Sequence, residues 1–168
     1  MKDHRKTELT LESDLRNVPA ASSVIRSFCS ETPLDETARY QIELSAVEAI
    51  TNVIKHSYGS APGHKISVKL SLYADCIRLQ ITDTGKAISE AFLEKLNGRS
   101  FSHRTEKTID EHAVTEEAEE AFHETGRGLE IIDSCMDEIA YDSSGGANTL
   151  TITRFFTNQR TCGQASTV

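Results

Sequence analysis

No stretch of the sequence approaches the roughly 20 consecutive apolar residues that span a bilayer. Met1-Lys2-Asp3-His4-Arg5-Lys6 leads into no apolar signal core, so a soluble, cytoplasmic protein without membrane attachment is expected. Paired cysteines are missing too. Cys29, Cys76, Cys135 and Cys162 lie far apart with no CxxC spacing, which argues for reduced, partly buried thiols over disulfides or a cysteine-bound zinc. Positive charge is in deficit: 18 Lys and Arg stand against 26 Asp and Glu, a formal net charge of -8. Such a chain repels a phosphate backbone, so direct nucleic-acid binding is not expected, and any role in transcription would run through a protein partner. The same charge repels free nucleotide at long range. A nucleotide site would therefore need local dipole ends and a divalent cation.

What is present fits one compact domain. With 38% hydrophobic residues in 168, a single core can bury roughly 70% of the unfolded surface. Thr7 to Glu12 alternates, with Leu9 and Leu11 inward, and predicts a strand; Val18 to Ser30 has helical spacing. Asp35 is placed to N-cap a long helix through about Tyr58, with Ile42, Ala46, Ala49, Ile50 and Val53 on its apolar side. After the turn cluster Ser57 to Gly63, two alternating runs, Lys65 to Tyr73 and Cys76 to Thr82, predict an antiparallel hairpin. Glu90 to Leu96 reads as a short helix. Residues 103 to 125 hold eight acidic and two basic residues. A helix is expected again from Gly126-Arg127-Gly128 to about Cys135 or Met136, then strands over Glu138 to Asp142 and Asn148 to Phe156 around the turn Ser143 to Gly146. The expected architecture is α+β, with two or three helices on one face of a mixed, mostly antiparallel sheet. The domain is expected over residues 1–157, with 158–168 as a disordered tail of low apolar content.

Three constellations carry chemistry. Glu48, Asn52 and His56 fall at i, i+4 and i+8, one polar stripe along an otherwise core-packed helix. A neutral amide oxygen on a rigid helix can hold magnesium beside phosphate oxygens, and a carboxylate one turn away can deprotonate a hydroxyl. Next, Ile81-Thr82-Asp83-Thr84-Gly85-Lys86-Ala87-Ile88 ends a strand in an acid followed by glycine. That carboxylate can accept from an adenine amino group, and Gly85 lets backbone pass close to a planar base. Third, Thr125-Gly126-Arg127-Gly128-Leu129 puts glycines at a helix start, where amides can meet phosphate unobstructed. Singly, each has a plain structural explanation: a solvated helix face, a D-x-G turn, a common Gly-x-Gly loop, and for His56 a packing histidine.

In this order the three segments resemble the GHKL (Bergerat-fold) ATP-binding superfamily, in particular its RsbW-like anti-sigma-factor serine/threonine kinases. Glu48 to Tyr58 looks like the N box, Asp83 to Ile88 like the G1 box and Gly126 to Ile132 like the G2 box, with a lid over about 89–125. Asn148-Thr149-Leu150-Thr151-Ile152 is similar to the family's last strand. The resemblance covers about residues 7 to 156. It implies a Bergerat two-layer sandwich that binds ATP and Mg2+, with Asn52 ligating magnesium and Glu48 the catalytic base toward a serine of a STAS-type anti-anti-sigma antagonist. Asp83 would then read adenine, Gly85 flank it and Thr149 join its water-mediated contacts. Gly126, Arg127, Gly128 and Leu129 would line the phosphates, and His56 would order the N-box helix or approach them. A sigma factor would be the second partner, and homodimers are common among such proteins. Ala87 departs from the pattern where the G1 box usually has a second glycine, and its methyl group bears on the pocket's width. In the lid, Glu116, Glu117, Glu119 and Glu120 would face solvent or a basic partner surface. The rival expectations are a non-catalytic binding module that sequesters a regulator, and a histidine-kinase ATP-binding domain. Against the latter, the chain has no room for a dimerising helical hairpin with a phosphoacceptor histidine.

Overall fold

The computed structural model describes residues 5–89, Leu93, the backbone of 101–105, and 127–156. The expected helix Glu90 to Leu96, Leu93 apart, lies outside the described residues, as do Gly126, Cys162, the tail 158–168 and, apart from 89, Leu93 and 101–105, the lid.

Alternation of apolar and polar side chains builds the sheet. β1 (Arg5–Glu12), β2 (Lys65–Leu72), β3 (Cys76–Asp83), β4 (Phe101–Thr105), β5 (Glu138–Ser144) and β6 (Ala147–Phe155) form one six-stranded sheet in the order β1-β2-β3-β6-β5-β4. Every neighbouring pair is antiparallel except β4 and β5, which run parallel. β4 was not legible in the sequence: its five residues, with one apolar side chain among them, show no alternation, and its place is set by backbone pairing to β5.

On one face of the sheet, Leu11, Ile66, Val68, Leu70, Ile77, Leu79, Ile81, Leu150 and Ile152 share a single core with the helices. α1 (Val18–Ser30) supplies Ile25 and Phe28, α2 (Glu36–Asn52) Ile42, Ala46, Ala49 and Ile50, and α3, described over 127–135, Leu129 and Ile132. Each fully buried aliphatic side chain of this size contributes about 1.5–3 kcal/mol. The opposite face carries polar and hydroxyl side chains, among them Thr82 and Thr149, whose Oγ1 atoms lie 3.0 Å apart across the strands.

The two long helices are tied by charge as well as packing. Glu43, nearly buried on α2, accepts from Arg26 Nε at 2.9 Å and from Ser22 Oγ at 2.5 Å, both on α1. The Arg26 guanidinium holds the Glu43 carboxyl below its ordinary range despite desolvation. Asp35 caps α2 as expected, its Oδ1 accepting from Ala38 N at 2.8 Å. The far end of α2 differs from expectation. Instead of continuing regularly to Tyr58, the chain widens after Asn52 into a π-helical turn, Val53–Ser57, closed by Tyr58 N donating to Val53 O at 3.1 Å. Apolar spacing did not reveal it, because Val53 and Ile54 stay buried within it.

Candidate functional site

The last turns of α2 place Glu48 and Asn52 on one line, both half-buried, and α3 begins its described course against them. A β-carbon built on Gly128 would lie 2.8 Å from Asn52 Nδ2, 3.1 Å from Asn52 Oδ1 and 3.2 Å from Glu48 Oε2. Glycine at 128 is therefore what lets the α3 backbone approach the carboxylate and the amide together. Asn52 Nδ2 is buried and has no hydrogen-bond partner among the described residues. A buried donor left unpaired costs about 1–3 kcal/mol, so it marks a place where another polar group belongs.

His56 falls inside the π turn, not on a regular α-helical turn. Arg127 is exposed, and Leu129, 3% exposed, belongs to the core.

A second cluster sits where β3 ends. Asp83 is 5% exposed; its Oδ1 accepts from Gly85 N at 2.8 Å and from Asn148 Nδ2 at 2.9 Å, and the Ser57 hydroxyl bonds to the same carboxylate. Burial raises the Asp83 carboxyl above the ordinary value, against the pull of these donors. Asn148 Nδ2 also donates to Gly85 O at 3.0 Å, and Ser143 Oγ donates to Asn148 Oδ1 at 2.8 Å.

The loop after Asp83 is fastened to the π turn. A β-carbon on Gly85 would lie 2.5 Å from Ser57 O and 2.7 Å from Ser57 C, and Lys86 N donates to Ser57 O at 2.8 Å. Gly85 thus answers first to the Ser57 backbone. Tyr58 completes the seam: its hydroxyl donates to Lys65 O and accepts from Thr84 N, both at 2.9 Å, with its ring stacked on His64 at 4.4 Å between centroids. On the far side of the loop Ile88 N donates to the Tyr141 hydroxyl at 2.9 Å, and burial pushes that phenol up to about 12. Ala87 is exposed in this loop.

Thr149 lies apart from the acid. Strand register pairs Asp83 with Asn148 and Thr82 with Thr149, and the Thr82–Thr149 contact lies on the sheet face opposite Asp83. Asn148, not Thr149, is the β6 residue beside the acid, since a one-residue step along a strand changes the face. Three residues with no expected role, Ser57, Ser143 and Asn148, hold the Asp83 cluster together. The signal for Asn148 was in the sequence: counting back by twos from the inward Ile152 and Leu150 lands on it.

The two clusters join through the π turn, which begins one residue after Asn52 and ends at Ser57. Among the described residues no group of three or more His, Cys, Asp or Glu could hold a metal ion by itself, and no helix is long and apolar enough to cross a membrane.

Comparison with known proteins fits this arrangement. Residues 11–154 match the family model described as a histidine kinase-like ATPase domain. Among curated relatives, the serine-protein kinase RsbW of Oceanobacillus iheyensis is 26% identical over 105 residues, which cover 62% of this chain and 58% of that protein. The serine-protein kinase RsbW of Listeria innocua is 26% identical over 137 residues, 81% of this chain and 78% of its own length. An anti-sigma F factor of a Thermoanaerobacter species is 28% identical over 145 residues, 85% and 87% of the two chains. With an α+β sandwich of this topology and a family match across most of its length, the chain belongs to the histidine kinase-like (GHKL) ATPase domain family.

Proposed function

We propose that this protein is an ATP-dependent serine/threonine-protein kinase that acts as a cytoplasmic anti-sigma factor, phosphorylating a STAS-type antagonist in a partner-switching system. The observation that carries the reading is the convergence of Glu48 Oε2 and the Asn52 amide on Gly128, with Asn52 Nδ2 buried and unpaired among the described residues. Relatives named as serine-protein kinase and anti-sigma factor support it.

Asn52 Oδ1 would hold magnesium. A single neutral oxygen suits that ion, which keeps several waters and takes its remaining ligands from phosphates. When bound, magnesium neutralises charge on the phosphoryl group being transferred. Gly128, with Arg127 and Leu129, presents backbone to the phosphates; Asp83 accepts from the adenine amino group. Glu48 takes the proton from the incoming serine hydroxyl as its oxygen bonds to the γ-phosphorus. The bond to the β–γ bridging oxygen breaks, and ADP leaves. Catalysis here is chiefly positioning, which is what rigid α2 provides.

Incubation with ATP labelled at the γ-phosphate, magnesium and a candidate STAS antagonist tests this. Wild type should label a serine of the antagonist, and Glu48→Ala should keep ATP binding while cutting transfer by roughly 10²–10⁴-fold. An antagonist left unlabelled, with the complex nonetheless formed, would make the protein a nucleotide-dependent sequestering module instead.

A further inference from the structure

Asn148 is 4% exposed and grips Asp83 from the neighbouring strand. Its chemistry fixes which end of the amide is which. Asp83 Oδ1 and Gly85 O, at 2.9 and 3.0 Å, are acceptors, so the NH2 group points at them; the Ser143 hydroxyl, at 2.8 Å, donates to the amide oxygen. Both amide donors are thereby engaged, and an asparagine held at both ends cannot turn.

The carboxylate it holds is equally constrained. Oδ1 receives two N–H groups, from Asn148 and from Gly85, and the Ser57 hydroxyl adds a third donor to the group. An ionised carboxylate has about four acceptor sites, so three are filled and what is left can only accept. A proton on Oδ1 would collide with the N–H groups already there.

Building on the nucleotide reading above, we propose that Asn148 is a specificity-determining positioning residue: by saturating one oxygen of Asp83, it leaves the carboxylate a fixed, acceptor-only group that takes a purine with an exocyclic 6-amino group and rejects one with a 6-carbonyl. A site built to receive a hydrogen bond rejects the analogue that lacks the donor far better than an apolar pocket does, because its buried acceptor is left unpaired. Without Asn148, Oδ1 loses a donor, and the carboxyl group is free to turn or to take up a proton and donate to a carbonyl. The phosphate end, made by Asn52 and Gly128, is untouched, so affinity for the 6-carbonyl nucleotide is retained.

The test compares Kd values for ATP and inosine triphosphate, whose base carries a carbonyl in place of the 6-amino group, by calorimetry with magnesium on the full chain. Wild type should prefer ATP. Asn148→Ala should lower the ATP-to-inosine ratio roughly tenfold, the worth of one hydrogen bond to a charged group, through ATP affinity alone. Ser143→Ala, which removes a single half-buried hydroxyl and frees the amide to turn, should shift the ratio the same way by less; it carries the test if Asn148→Ala does not fold. A ratio unchanged in the folded variants, an equal loss of both nucleotides, or a wild type indifferent to the base would overturn the proposal. A wild type that binds neither nucleotide would remove the ATP reading itself, and the role of Asn148 with it.

Discussion

The two ends of the site are built on opposite plans. Around Asp83 nearly every polar atom is satisfied before any ligand arrives: Asn148, Gly85 and Ser57 donate to the acid, Ser143 to Asn148, and Tyr58 binds Thr84 and Lys65. Around Asn52 a glycine is pressed on an amide whose nitrogen bonds to nothing among the described residues. The first end is preorganised and, on the proposed reading, would select by rejecting poor fits. The second gains its partners from what binds there, so it should respond most to ligand and metal.

The sharpest break of this contrast is Asn52→Ala. Magnesium-dependent ATP affinity should fall roughly 10–100-fold or more, while the chemical denaturation midpoint without nucleotide stays at or above wild type, because an unpaired buried donor has been removed. A loss of apo stability instead would show that Asn52 is structural. Paired glycine substitutions come next. Gly85→Ala drives a methyl group into the Ser57 backbone, 2.5 Å from its carbonyl oxygen, and should cost about 1–3 kcal/mol in urea unfolding. Gly128→Ala meets side-chain atoms that can move, so stability should change less than in Gly85→Ala while ATP affinity falls. Equal effects in the two variants would erase the difference between the ends.

Acid supplies a further probe. Asp83 binds its proton more tightly in the folded state than unfolded, so the stability linked to it is fully present below the ordinary carboxylate pKa and is lost as pH rises through the raised folded value. ATP binding should run the other way, weakening as pH falls through that value, because a protonated acid no longer accepts. Urea unfolding and ATP titrations across acidic pH, compared with Asp83→Asn, should show both slopes in wild type and neither contribution in the variant. The smallest effect belongs to Tyr58→Phe. Removing the hydroxyl that bridges Lys65 O and Thr84 N should cost about 1 kcal/mol of stability, read by the same unfolding experiment.

Much of this was legible in the sequence, for identifiable reasons. The β1 to β3 and β5 to β6 strands announced themselves because one face is buried and the other wet, and α2 because its cap and apolar spacing agree. The convergence of Glu48, Asn52 and Gly128 followed from motif order. What escaped depended on pairing rather than pattern. β4 gains its place from β5, and the π turn leaves the buried positions unchanged. Thr149 attracted the adenine role through likeness to a motif, whereas simple alternation from Leu150 pointed to Asn148.

The widened turn at Val53–Ser57 has one more consequence. A π turn houses an extra residue within the rise of an α-helical one, so this stretch behaves like a spacer whose count of residues sets where the Ser57 carbonyl and Tyr58 hydroxyl land. Excising Lys55 would rewind it as α-helix and keep the buried Val53 and Ile54, yet both anchors would slip out of register with Gly85 and Thr84.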